Sequence, residues 1–339
     1  MGKVTIKDIA KVANVSYTTV SRALSGDPEI SEQTRSRIMK ISSEMGYTTN
    51  YIARSMVKKK TELIGLVLPS IDNPFMSELA YYTEITARRF GYNLMLCNSY
   101  PDLNQEQTAM KLLVGHQADG VLIIPQRPES CETLKQFTTL VPTVFLSENL
   151  REHDGSYVSV DNRLGAVLGT EYLYSLGHRN ILYFGKRKGS TTHQLRAEGY
   201  IEACTKLGIT PDIISFDARS SSVELGVEMA RKCLKEKKDF TAVFASTDTN
   251  AVGLMQAARE LNIHIPDDIS LIGFDNIRIS SLPQIDLTTV AQPKEEMAVT
   301  AVTMLLDMIT NGKKTNTHKI IPPELIERSS CRSLQTPQS

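Results

Sequence analysis

Tyr17, Thr18, Ser21 and Arg22 lie within one short stretch, and each is a residue type that can grip or read a nucleic acid. An arginine forks onto guanine O6 and N7, a threonine methyl meets a thymine methyl, and serine and tyrosine hydroxyls reach phosphates or base edges. The charge distribution agrees. Residues 1–60 hold 11 Lys and Arg against 5 Asp and Glu, a net of +6. The remainder holds 27 against 33, a net of −6, so the zero net charge of the 339-residue chain conceals a basic arm on an acidic body. A basic arm is the electrostatic footprint of a phosphate-binding module, although a solvated basic face would carry the same charge.

The order of residues in the arm separates those readings. Thr5 stands before Ile6, Ile9, Ala10 and Ala13, which recur at helical spacing, and Asp8 completes a weak capping box with it. Ala13-Asn14-Val15 is a short break around a residue that tolerates left-handed geometry, and Ser16 can cap a second helix whose inner face is Val20, Ala23 and Leu24. Two short helices joined in this way form a helix-turn-helix, with Tyr17, Thr18, Ser21 and Arg22 facing outward. Ser31 opens a third helix with Ile38, Ile41 and Met45 inward and Gly46 as its stop signal. Asn50–Lys60 has one or two turns of helical potential, too short to be stable alone, so it would fold only on a partner. Ala53 and Met56 share one face there and suit insertion into a minor groove; a solvated basic linker is the alternative.

The run Val4–Leu24 (VTIKDIAKVANVSYTTVSRAL) resembles the headpiece of the LacI/GalR family of repressors. The likeness continues through Gly46-Tyr47 and Asn50–Ser55 (NYIARS) and along the body to about Arg332. It implies a homodimer on a pseudo-palindromic double-stranded DNA operator, contacted by Thr5, Ser16, Tyr17, Thr18, Thr19, Ser21 and Arg22 in the headpiece and by Asn50, Ala53 and Met56 in paired hinge helices. The family's wedge is leucine where this chain has Met56, an apolar side chain of similar volume that predicts a softer bend.

The body alternates strand-like runs at Leu63–Leu68, Asn93–Cys97, Val121–Ile124, Thr143–Leu146, Ile181–Phe184, Ala242–Ala245 and Ile269–Phe274 with helical patterns near Pro74–Phe90, Gln105–Val114, Leu164–Leu176, Leu195–Leu207, Val223–Leu234 and Thr249–Leu261. That alternation predicts an α/β fold, and the number of elements predicts two doubly wound parallel-sheet lobes. The resemblance makes these lobes of periplasmic-binding-protein type behind a small all-α headpiece. The divisions expected are 1–49 for the headpiece, 50–60 for the hinge, 61–160 plus 293–321 for the first sensor lobe, and 161–292 plus 322–339 for the second. Ligands of such sheets bind beyond the carboxyl ends of the strands. That rule selects the loops holding Asp72, Asn73 and Phe75, Gln126, Thr247 and Asp248, and Asp275.

In those loops Asn73-Pro74-Phe75 is similar to the family's Asn-Pro-Phe loop, and Arg196 and Asp275 match effector-binding positions. Read from the residues alone, Arg196 and Asp275 could equally be an internal ion pair. Asp161 and Gln292-Pro293 fall where the chain crosses between lobes. Ser147 replaces an aspartate of several sugar-binding relatives, Thr247 replaces a common asparagine, and no aromatic stands near Ser221. With no Trp, any stacking platform must be Phe or Tyr. The effector implied is a carbohydrate or a derivative. By charge alone, Lys186-Arg187-Lys188 reads first as a solvated loop, with an anionic effector as the alternative.

No G-x-S-x-G elbow or G-x-G-x-x-G occurs, and Gly185–Ser190 (GKRKGS) is one residue short of a phosphate loop, so no catalytic residue and no enzymatic activity is expected. The five cysteines form no CxxC pair and His178 has no partner at ligand spacing, so no metal or cofactor is expected either, and His178 reads as a helix-end residue bonded locally. No apolar run approaches a membrane span and no signal sequence opens the chain, which argues for a cytoplasmic location and against a transporter's solute-binding protein. A dimer contact is expected along the helix near Pro74–Phe90, through Leu79, Ile85 and Phe90. The tail after Arg332 has no heptad repeat, and a phosphocarrier protein as co-regulator stays open.

Overall fold

A computed structural model describes residues 4–47, 60–100, 102–125, 129–146, 155–187, 189–216, 223–236, 239–312 and 316–334. Asn50, Ala53 and Met56 of the anticipated hinge, with Gln126 and Ser147 of the anticipated effector site, lie outside the described residues. The chain divides into two compact units, Met1–Thr61 and Glu62–Ser339.

Among the described residues the first unit has three helices, α1 (Ile6–Ala13), α2 (Tyr17–Leu24) and α3 (Glu32–Glu44). The carboxylate of Asp8 accepts from the Thr5 amide at 2.9 Å and from its hydroxyl at 2.7 Å, which fixes the start of α1. Asn14 ends that helix in the left-handed region at φ 49°, where an Asn side chain costs little. Ser16 caps α2 by accepting from the Thr19 amide at 3.0 Å, and the guanidinium of Arg37 in α3 donates to the Ala13 carbonyl at 3.2 Å. Ile9, Ala10, Ala13, Val20, Ala23 and Ile38 form the core, so the apolar spacing read from the sequence is the packing that holds the three helices.

Among its described residues the body holds two six-stranded sheets. The first contains β1 (Leu63–Leu68), β2 (Asn93–Asn98), β3 (Gly120–Ile123), β4 (Thr143–Leu146), β5 (Ser156–Val160) and β11 (His318–Ile321), in the order β2-β1-β3-β4-β5-β11, all parallel. The second contains β6 (Ile181–Arg187), β7 (Asp212–Phe216), β8 (Ala242–Ala245), β9 (Ser270–Asp275), β10 (Thr288–Ala291) and β12 (Glu324–Ile326), in the order β7-β6-β8-β9-β10-β12. Among these described strands only the edge strand β12 is antiparallel. Helices α4 (Pro74–Arg89) and α11 (Lys294–Asn311) cover one face of the first sheet, and α5 (Leu103–Gly115) and α6 (Ser130–Thr138) cover the other. In the second lobe α7 (Asn162–Ser175) and α8 (Thr191–Leu207) lie on one face, with α9 (Val223–Glu236) and α10 (Asp248–Glu260) on the other. Each lobe is therefore doubly wound, with a switch point beside its first strand. Among the described residues no helix is long and apolar enough to cross a membrane.

Two expectations need correction here. Leu79 does not face outward along α4: it is fully buried in the first lobe's core, and the exposed aromatic residues of that region are Tyr81 and Phe90. His178 does not bond locally. Its Nδ1 meets the Thr241 hydroxyl at 2.9 Å, and its Nε2 meets the Ser270 hydroxyl at 3.0 Å and the Arg332 carbonyl at 3.2 Å, pinning the C-terminal strand of chain to the lobe. Burial holds the His178 imidazole below its ordinary value of 6.5. The unfolded chain takes up that proton first, so the stabilisation is complete above pH 6.5 and is lost as pH falls through the lower folded value. Asp275, whose carboxyl is raised to about 6, works in the opposite sense in both proteins, so the test is the difference: in denaturant titrations from pH 7.5 to 5 the native protein should lose stability relative to His178→Gln as pH falls. An equal slope in the variant would assign the pH dependence to other groups.

Candidate DNA-reading helix and effector site

Helix α2 presents Tyr17, 64% exposed, with Thr18 beside it, while Ser21 and Arg22 are half-buried on the same surface. The hydroxyls of Ser16 and Thr19 are 2.8 Å apart and complete the helix cap, and the Thr5 hydroxyl is held by Asp8. The side chains of this surface that take no part in a helix cap are Tyr17, Thr18, Ser21 and Arg22. Arg22 donates through Nε to Asp27 at 2.8 Å and through Nη2 to Glu29.

In the body, Arg196 and Asp275 meet as one buried pair. Arg196 is reached through α8, which starts at the Ser190 cap, and Asp275 ends β9. Their side chains are 3% and 6% exposed and separated by 3.2 Å. Nε of Arg196 donates to Asn162 at 2.8 Å, Nη1 donates to the Ser246 carbonyl at 2.6 Å, and the guanidinium lies 3.7 Å from the centre of the Phe274 ring. Gly165 of α7 makes room for that ring, since a Cβ there would stand 2.7 Å from Phe274 Cζ. Ser246 directly follows β8, so the cluster sits at the carboxyl ends of strands beside the switch point, where ligands of such sheets bind.

Asp275 has φ 121° and Asn276 φ 51°. Two successive non-glycine residues in this region are strained and persist only where the surroundings over-determine them. Those surroundings are visible: Gln292 donates to Asp275 Oδ1 at 2.7 Å, and Lys294 Nζ donates to the carbonyls of Asp275 and Asn276 at 2.9 and 2.6 Å. Burial, with repulsion from Asp248, pushes the Asp275 carboxyl up to about 6 against the opposing pull of Arg196, Gln292 and Lys294.

The same cluster links the lobes. Lys294, 8% exposed in its side chain, stands 3.3 Å from the carboxylate of Glu78 on α4, and Glu78 also accepts from the Arg278 amide at 2.7 Å. Ile277 from the second lobe is buried in the first lobe's core. Asn162 and Gln292 stand at two of the points where the chain passes between the sheets, so a group bound at Arg196 and Asp275 would touch the crossings directly.

The other anticipated residues are placed differently. Asn73 caps α4, its Oδ1 accepting from the amides of Phe75 and Met76, and Asp161 caps α7 by accepting from Leu164 at 2.9 Å. Thr247 caps α10, accepting from Asn250 at 3.1 Å, and Asp72 is exposed on the loop before α4. Phe75 is 5% exposed within the first lobe's core, with Lys294 Nζ 5.9 Å from its ring centre. Asp248 is fully buried, with Oδ2 accepting from the Ile277 amide at 2.9 Å and the Ser280 hydroxyl at 2.6 Å and Oδ1 from the Thr289 hydroxyl at 2.5 Å, which makes it an internal anchor. The side chains of Lys186, Arg187 and Lys188 lie outside the described residues. Asn162, Ser246, Glu78 and Lys294 were not anticipated. A carboxylate on the buried face of α4, one residue before the core Leu79, was the signal for Glu78. For Ser246 there was none, because its backbone carbonyl does the work.

Comparison with known proteins agrees with this architecture. Residues 5–50 match the family described as bacterial regulatory proteins, lacI family, and residues 170–331 match the periplasmic binding protein-like domain. The HTH-type transcriptional regulator DegA of Bacillus subtilis (strain 168) is 34% identical over 98% of this chain and 100% of its own. The crystal structure of the Lac repressor dimer bound to operator and an anti-inducer superposes with a TM-score of 0.87 at 25% identity, covering 98% of this chain and 100% of that one. A LacI family transcriptional regulator from Enterococcus faecium with bound ribose superposes at 0.72 and 27% identity, covering 80% and 100%. The chain belongs to the LacI family of bacterial DNA-binding transcription regulators, with a helix-turn-helix headpiece and a periplasmic-binding-protein-like sensor body.

Proposed function

We propose that this protein is a repressor without enzymatic activity that binds a pseudo-palindromic operator as a homodimer and answers to a neutral carbohydrate held at Arg196 and Asp275. The observation that carries the effector reading is the charge balance of that cluster. One guanidinium faces one carboxylate, the amides of Asn162 and Gln292 are uncharged, Lys294 is answered by Glu78, and burial raises the neighbouring Asp248 carboxyl toward its neutral form. A sugar hydroxyl both donates and accepts, so vicinal hydroxyls can satisfy Arg196 and Asp275 together with no charge to neutralise. A relative solved with ribose supports the ligand class, and the operator-bound Lac repressor dimer supports the assembly.

The response follows from the links between lobes. A ligand that competes for Asp275 or Gln292 acts on the same residues that hold Lys294 and, through it, Glu78. It binds one relative arrangement of the lobes better than another and shifts their populations. The coupling to DNA is expected at about 1–3 kcal/mol. Selection of bound duplexes from a random pool, followed by sequencing, tests the DNA side. Enrichment of two half-sites related by a pseudo-dyad is expected; enrichment of no sequence, with or without added sugars, would overturn the reading.

A further inference from the structure

The guanidinium of Arg22 has five N–H donors in a planar fork, and two of them are already used. Its Nε–H goes to Asp27 Oδ2 at 2.8 Å and one Nη2–H goes to Glu29. Both carboxylates therefore engage one edge of the fork, and the other edge, Nη1 with the second Nη2–H, is the edge that can span guanine O6 and N7.

The carboxylates are built into place. Asp27 Oδ1 accepts from the Glu29 amide at 2.9 Å, so Asp27-Pro28-Glu29 forms a fixed turn. The Asp27 amide donates to the Arg22 carbonyl at 3.0 Å, and the Asp27 carbonyl accepts from Arg35 of α3 at 2.7 Å. The turn is thus tied to α2 and α3 at once. Glu29, 74% exposed in its side chain, adds negative charge beside the cation. A phosphate approaching Arg22 from that side meets like charge, whereas a base edge carries no net charge and meets none.

We infer that Asp27 and Glu29 are positioning residues that turn the free edge of Arg22 toward a base and keep the guanidinium off the phosphate backbone. This rests on the reading of α2 as the base-reading helix. The two carboxylates lower total DNA affinity and raise discrimination at the base pair under Arg22.

The test uses the full-length protein and a selected duplex, with the same duplex carrying each G·C pair exchanged in turn. Three variants are compared: Asp27→Asn with Glu29→Gln, Glu29→Gln alone, and Arg22→Ala. Asp27→Asn keeps an oxygen for the Glu29 amide but presents an amide to Arg22, and Glu29 is exposed enough for its change to leave the fold intact. The double variant should bind non-cognate DNA about tenfold more tightly and lose about tenfold in discrimination at one base pair, with Glu29→Gln moving both quantities the same way to a smaller extent. Unchanged discrimination in the double variant and in Glu29→Gln, with discrimination removed by Arg22→Ala, would overturn the positioning role alone. Discrimination unchanged in Arg22→Ala would overturn the reading of α2 and the positioning role with it.

Discussion

Arg196→Ala should cost the body about 3–5 kcal/mol of folding stability, because it leaves a buried carboxylate without its cation. Asp275 would retain the Gln292 amide, while Asn162 and the Ser246 carbonyl would each lose a donor and the Phe274 ring would lose its cover. The loss would come from the charge left behind more than from any large net worth of the pair. Replacing both members by apolar residues, Arg196→Met with Asp275→Leu, should therefore recover most of it. Chemical denaturation followed by circular dichroism measures all three proteins. A loss below about 1 kcal/mol in the single variant would show that solvent reaches the pair freely.

Arg22→Ala should weaken binding to the selected operator by roughly 5- to 150-fold and relax the preference at one base pair in each half-site. The core of the unit, built on Ile9, Val20 and Ile38, does not include Arg22, so the headpiece should remain folded. Gel-shift titrations against cognate and non-cognate duplexes separate the two effects: loss of a base contact lowers cognate affinity, whereas loss of a phosphate contact lowers both alike. Equal losses on both duplexes would place Arg22 on the backbone.

The headpiece was legible in the sequence because its signals are local. Asn14 marks the turn, Ser16 and Ser31 mark the caps, and a single apolar stripe on each helix finds its partners within forty residues. The body was legible wherever a strand was continuously apolar, as in β1, β4 and β8, whose sequence and structural bounds coincide. It was illegible where polar residues are buried inside the sheet. Ser156 and Ser159 disguise β5, and Thr288 and Thr289 disguise β10, although all four are buried. The Thr289 hydroxyl donates to Asp248, so a side chain that reads as surface is satisfied in the interior. Helix α11 escaped for the opposite reason. It is apolar on much of its circumference, with Met297, Ala298, Ala301, Val302 and Leu305 all buried, and shows little amphipathic contrast.

At the site, the residue types were legible and their orientations were not. Asn73, Asp161 and Thr247 stand at strand ends as expected, but each spends a side-chain oxygen on a helix cap. Asp248 points into the protein because Ser280, Thr289 and the Ile277 amide converge on it from distant segments. No local pattern announces such convergence, and the same is true of Lys294 and Glu78, which pair within the first lobe and reach Asp275, Asn276 and Arg278 of the second.

Reciprocity tests most directly whether a carbohydrate site in the body is coupled to DNA binding by the headpiece. The affinity of the full chain for pentoses, hexoses, their phosphates and nucleosides should be measured by calorimetry with and without the selected operator. A neutral sugar should bind, and operator should change its affinity by about 5- to 150-fold, with the sugar changing operator affinity by the same factor. Binding confined to phosphorylated or nucleoside ligands would contradict the assignment of effector class, and a sugar whose affinity is identical with and without operator would contradict the coupling itself.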